Sequence, residues 1–92
     1  MVQVTSDQIA EQVIAYIQRE LAPEEADALT ADDNILTGGY VDSVGIVRLT
    51  AHLSEQLQVE IPASDLIPAN FRSPRIIGEY LQGRLSASPA RS

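Results

Sequence analysis

Few residues in this chain could do chemistry, and Ser43 heads them. It follows Asp42 where a long loop gives way to an amphipathic stretch. Its hydroxyl therefore stands at the start of a predicted helix, where backbone N–H groups lack intrahelical partners. A serine hydrolase needs a base within hydrogen-bond reach of that hydroxyl. His52 is the one histidine, and it lies about 13.5 Å further along the same helix at 1.5 Å per residue. It cannot be that base. Cysteine is absent, which removes thiolate nucleophiles, disulfides and thiolate–metal sites. A lone histidine forms no two-histidine metal site by itself. All six basic residues are arginine, which excludes a lysine nucleophile, Schiff base or P-loop lysine. No glycine-rich phosphate loop or carboxylate pair stands out. Ser43 reads better as a substrate for another enzyme than as a nucleophile. Taken bare, Asp42-Ser43 is also simply a good helix cap.

Charge narrows the partners. Thirteen acidic and six basic residues give a net charge of −7. Such a balance argues against nucleic acid, whose phosphates need basic patches, and against anionic membrane surfaces. Glu24, Glu25, Asp27, Asp32 and Asp33 form an acidic run with no basic neighbour in the sequence. It reads either as a solvated loop or as a docking surface for basic partners. It is not a calcium loop, because Ile35-Leu36-Thr37 follow Asp32-Asp33-Asn34 and interrupt the alternating oxygen ligands. No apolar run approaches a membrane span, and the first residues lack a signal-peptide layout. The expectation is one soluble, cytoplasmic, monomeric domain.

The elements that must hold Ser43 follow from periodicity. Thr5 and Gln8 fit a capping box, and Val4 and Ile9 the staple around it. Ile9, Val13, Ile17 and Leu21 then recur on one helical face, up to Ala22, which Pro23 disfavours as helix. A long connection runs to about Val41. Within it Ile35, Leu36, Tyr40 and Val41 are too apolar for a free loop and should dock on the core, and Gly38-Gly39 breaks the backbone. Asp42 caps a second helix over residues 43–57, with Ile46, Val47, Thr50, Leu53 and Leu57 inward. A short helical turn is expected over residues 64–67, between Pro62 and Pro68. Ser73 and Pro74 open a last helix that buries Ile76, Ile77, Tyr80 and Leu81 and ends near Gly83. Residues 86–92 read as a disordered tail. The fold class is all-α: three main helices, one short helix and a long loop after the first. The domain spans residues 1–85.

The stretch Gly38-Gly39-Tyr40-Val41-Asp42-Ser43-Val44-Gly45-Ile46-Val47-Arg48-Leu49 resembles the phosphopantetheine attachment segment of acyl and peptidyl carrier proteins. The resemblance continues through Leu53, Glu55, Leu57, Val59-Glu60-Ile61-Pro62, Asp65-Leu66, Asn70-Phe71-Arg72-Ser73 and Ile76 to Leu81, covering roughly residues 5 to 85. It implies a small carrier bundle whose serine, here Ser43, receives 4′-phosphopantetheine from coenzyme A through a phosphopantetheinyl transferase. The arm's thiol then carries acyl or aminoacyl groups as thioesters. A loading enzyme (an acyltransferase or adenylating ligase) and a downstream synthase or transferase are the further partners implied. The physics is compatible: a phosphodiester at Ser43 would sit at a helix N-terminus, which favours anions, and Asp42 as cap would fix the direction of Ser43.

Four residues around the serine bear on partner binding. Val44 corresponds to an exposed apolar contact in the family, or else is partly buried. Gly45 is a tolerated glycine in a first turn, or permits close approach of a transferase or of the arm. Arg48 departs from the acidic helix typical of fatty-acid carriers; it is either a solvated residue or faces partners. Glu55 is the sole acidic residue between Ser43 and Leu57. The pattern Gly39-Tyr40-Val41-Asp42-Ser43-Val44-Gly45 together with Asn70-Phe71-Arg72-Ser73 looks more like discrete carriers of polyketide or nonribosomal peptide pathways, including antibiotic biosynthesis. The chain would be freestanding or an excised piece of a synthase. The alternatives are a fatty-acid-synthesis carrier, a carrier-like interaction module without an arm, and a small hydrolase.

Overall fold

The computed structural model describes residues 4–22 and 24–87. The first helix, α1 (Ser6–Tyr16), opens on the expected capping box. The Gln8 N–H donates to the Thr5 hydroxyl (3.1 Å) and the Thr5 N–H to the Gln8 side-chain oxygen (3.0 Å). Regular α geometry then stops five residues earlier than the periodicity suggests. Residues Ile17–Leu21 form a wider π-type turn, closed by the Ala22 N–H donating to the Ile17 carbonyl (2.8 Å). The apolar spacing carries through the change, so Ile17 stays fully buried.

α2 (Ser43–Leu57) matches its expected bounds. Leu49, Thr50 and Leu53 are buried, with Ile46 and Leu57 half-buried beside them. Val47 does not belong to this inward stripe; it is 58% exposed. It sits roughly 100° around the helix from Ile46, whereas Leu49, Thr50, Leu53 and Leu57 cluster within about 60° of it. Helical phase, not residue type, decides its fate. α2 ends on Gln58 in the left-handed conformation (φ 56°), where glycine is the commoner choice.

The expected turn over residues 64–67 is shifted. A 3₁₀ turn covers Ala63–Asp65, and Pro68 opens the short helix α3 (Pro68–Phe71) rather than closing an element. Proline at the first helical position has no N–H to satisfy and the right φ already. α4 (Pro74–Ala87) starts as expected, with the Ile76 N–H donating to Ser73 Oγ (3.2 Å). It runs past Gly83, contrary to expectation. Gly83 is exposed and costs about 1 kcal/mol of helix propensity, while Leu85 beyond it packs on the core and holds the last turn. Ser86 and Ala87 are therefore helical; the rest of the expected tail, 88–92, lies outside the described residues.

α1 and α4 share the largest helix–helix interface. Gly78 makes it possible, because a Cβ there would fall on the Ser6 carbonyl oxygen. Ile9 and Val13 of α1, Ile17 of the π-type turn and Ile77 and Leu81 of α4 belong to one buried cluster, which Leu49, Leu53 and Phe71 help complete. No strand occurs among the described residues. None of the helices is long and apolar enough to cross a membrane.

The long connection is anchored as its apolar residues predict. Ile35 is fully buried, Val41 nearly so, and Leu36 and Tyr40 are half-buried. The Ile35 N–H donates to the Arg72 carbonyl (2.7 Å) and the Arg75 N–H to the Ala31 carbonyl (2.9 Å). Asp32 has a basic partner after all. Arg75 Nε donates to its Oδ1 (2.6 Å) and Nη2 to its Oδ2 (3.3 Å), a pairing that sequence adjacency could not reveal. This guanidinium hydrogen bond, with its charge, holds the Asp32 carboxyl below the usual range. Glu25–Ala28 form a short 3₁₀ turn upstream.

Candidate functional site

Ser43 is placed by the loop before it and the helix after it. Asn34 Oδ1 accepts the Leu36 and Thr37 amides (both 3.0 Å), turning the chain. Gly38 then passes so close to the Asn34 carbonyl that a Cβ would stand 2.6 Å from it, and Gly39 takes φ +83°. The Tyr40 and Val41 amides donate back to the Ile35 carbonyl (3.2 and 3.0 Å). This folded loop delivers Asp42 as the cap of α2, its Oδ1 accepting the Gly45 N–H at 2.8 Å. Ser43 follows as the first helical residue, exposed to solvent.

Gly45 is buried. A Cβ on it would stand 3.0 Å from Val41 Cγ1 and 3.2 Å from Asp42 Oδ1. The close approach at this glycine is made by the chain's own loop and cap. Val44 is 66% exposed. Arg48 is half-exposed and reaches Glu20 only at 3.8 Å, and Glu55 is exposed. His52 stacks on Tyr16, ring centroids 4.5 Å apart, on the flank of α2. Among the described residues no group of three or more His, Asp or Glu gathers to hold a metal.

Two open grooves flank the start of α2. One, about 510 Å³, borders Ser43 and is walled by Ile46 and Val47 of α2, Leu36 and Val41 of the loop, and Leu66, Ile67, Pro68 and Phe71 opposite. The other, about 530 Å³, is more polar and lies between Leu21, Tyr40, Val44 and Arg48. The apolar groove was not legible in the sequence. Val47 looked like core, and the short helical turn expected after Pro62 gave no sign that it faces α2 across a groove. A chemical link behind that segment was missed too. The Tyr80 hydroxyl donates to Asp65 Oδ2, and Arg84 Nη1 lies 3.4 Å from the same oxygen. Burial and then the Asp65 carboxylate push the Tyr80 phenol up to about 12. A period-of-four pairing of Tyr80 with Arg84 was the available signal.

The bundle, its capped second helix and the exposed serine beside an apolar groove define a small helical carrier domain. The family described as phosphopantetheine attachment site matches residues 11–81, and the chain belongs to it. No curated protein matches the chain. The domain is thus a site for covalently attached 4′-phosphopantetheine, and the protein a phosphopantetheine-bearing carrier. The residues at the start of α2 fit that group: an exposed hydroxyl, and first-turn amides at Ser43 and Val44 to which the helix assigns no acceptor.

Proposed function

We propose that Ser43 bears the arm and that the protein carries acyl or aminoacyl groups in polyketide or related secondary-metabolite biosynthesis. The observation that carries this reading is the exposed Ser43 hydroxyl at the first position of α2, behind the Asp42 cap and on the rim of the apolar groove. Attachment forms a bond from Ser43 Oγ to the pantetheine phosphorus of coenzyme A. It breaks the bond to adenosine 3′,5′-bisphosphate, which leaves, and the hydroxyl proton passes to a base of the transferase. The arm supplies a thiol for thioester formation. The chain's own part is orientation: Asp42 holds the helix start, and the start points the hydroxyl outward. The protein performs no bond-making of its own, and its partners are the transferase, a loading enzyme and a downstream synthase or transferase. It works in the cytoplasm as a monomer.

The character of α2 supports the pathway reading. Val44 and Val47 are exposed and apolar, Arg48 is cationic, and Glu55 is the one acidic residue of the helix. A partner that recognises this surface meets apolar contact and positive charge, not a row of carboxylates. An aliphatic cargo folded back from Ser43 would gain about 0.8 kcal/mol per CH₂ buried in the groove.

Intact mass spectrometry tests the attachment. Incubation with coenzyme A and a promiscuous transferase should add one phosphopantetheine to the wild type and none to Ser43→Ala. Equal uptake by Ser43→Ala removes the site. The mass of protein isolated from its native cell reports arm and cargo together.

A further inference from the structure

The two walls of the apolar groove are held by different forces. The α2 wall is rooted in the core through Leu49 and Leu53, both fully buried. Opposite it, no residue between Val59 and Phe71 is buried. Ile61 and Leu66 of that segment pack on the core only in part, and polar bonds tie it to α4. Arg84 Nε donates to the Glu60 carbonyl (2.9 Å), and Tyr80 and Arg84 together hold the Asp65 carboxylate. Asn70 Nδ2 closes the segment on itself by donating to the Asp65 carbonyl (3.0 Å). The next residues, Leu66, Ile67 and Pro68, are the groove wall.

We propose that Tyr80 and Arg84 are positioning residues that clamp Asp65, set the place of the Leu66–Pro68 wall, and so decide how bulky a chain tethered on Ser43 the groove admits. The proposal rests on the reading of Ser43 as the attachment residue. The clamp is suited to the task because it is local. Tyr80 also packs its ring on Phe71, centroids 5.5 Å apart, so Tyr80→Phe removes the hydroxyl and leaves that packing. A half-buried wall pinned by a few hydrogen bonds opens at lower cost than one rooted in the core by fully buried side chains.

Amide hydrogen exchange on the full chain tests the clamp without the arm. Tyr80→Phe should speed exchange at Leu66, Ile67 and Asn70 roughly fivefold, the worth of a typical hydrogen bond, and leave Val13 and Leu81 unchanged. Arg84→Gln provides a second variant with the same expectation. Unchanged rates at the three wall amides, or an equal rise in α1, overturn the clamp. Butyryl and dodecanoyl forms, loaded from their coenzyme A thioesters, test the groove. Hydroxylamine should cleave the dodecanoyl thioester several-fold more slowly in Tyr80→Phe than in wild type, because the loosened wall admits and shields the long chain, and the butyryl thioester at the same rate in both. Identical or faster dodecanoyl cleavage overturns the role in selection. Absence of any mass gain on loading instead sinks the reading of Ser43 and the groove's role with it, while the exchange rates still judge the clamp.

Discussion

At the residue scale the site rests on a pairing of Asp42 with Gly45. The carboxylate accepts the Gly45 amide, and the absent Cβ of Gly45 leaves room for that carboxylate. Asp42→Ala should cost about 1 kcal/mol, the usual worth of a side-chain cap, and should slow pantetheinylation because the helix start frays. Gly45→Ala is the sharper test. Helix propensity alone favours alanine by up to about 1 kcal/mol. The new methyl, however, meets buried Val41 and the capping oxygen, and neither can retreat without loosening the loop or the cap. Thermal melts should therefore show Gly45→Ala less stable than wild type; a higher melting temperature would mean the loop yields freely. Asp42, Ser43 and the cap were legible in the sequence because an N-cap is a local event, written in adjacent residues. The reason for Gly45 was not, because it depends on how the folded loop brings Val41 Cγ1 to 3.0 Å from the would-be Cβ, which no spacing rule gives.

Tyr80 is a second residue whose surroundings make a measurable claim. Its pKa is raised from 10.0 to about 12, first by burial and then by Asp65. The folded state therefore resists losing this proton. The stabilisation is complete below pH 10 and disappears as the pH climbs toward 12. In the phenolate absorbance, wild type minus Tyr80→Phe should develop near pH 12. A difference curve centred near pH 10 would show that the hydroxyl is free of Asp65.

At the element scale, each helix was visible to the extent that its stabilisation is periodic and local. The start of α1, both ends of α2 and the start of α4 all carry caps, and all fall where the sequence puts them. What escaped depends on contacts between elements. The continuation of α4 through Gly83 and the groove wall after Pro62 are fixed by packing or by hydrogen bonds from distant residues. Leu85 and Arg84 act on neighbours that no spacing rule identifies. The exposed face of α2 has its own consequence. Val47 lies on the groove that Ser43 borders, Val44 and Arg48 on the second groove beside it, and Arg48 is bound only loosely by Glu20. Arg48→Glu reverses the charge there and sets two carboxylates near each other between α2 and the π-type turn that holds Glu20. Turnover by the cognate loading enzyme should fall, with its KM rising more than kcat drops, since a rim charge acts mainly on encounter. Unchanged kinetics would show that partners approach by another face.

At the scale of the whole molecule, thirteen acidic and six basic residues share a body whose radius of gyration is 12.6 Å. The ion pairs among the described residues join Arg19 and Arg48 to Glu20, Arg75 to Asp32 and Arg84 to Asp65. Glu24 and Asp27 stay exposed on the loop without such a partner. At 0.01 M salt the screening length is about 30 Å, so every acidic group feels the others; at 0.1 M it is about 10 Å and most of that repulsion is gone. Salt also weakens the favourable pairs, but exposed pairs contribute only about 0–1 kcal/mol each. Excess negative charge is the larger quantity. The melting temperature should therefore rise between 0.01 and 0.3 M sodium chloride. The rise should be smaller in a variant with Glu24 and Asp27 both changed to glutamine, which removes two repelling charges and no ion pair. A melting temperature that falls with salt would mean that the Asp32–Arg75 and Asp65–Arg84 links, which tie the loop and the groove wall to α4, outweigh the repulsion. The repulsion among the unpaired acidic residues would then be the smaller effect on the fold, and the charge of Glu24 and Asp27 would have to be explained by what it meets outside the molecule.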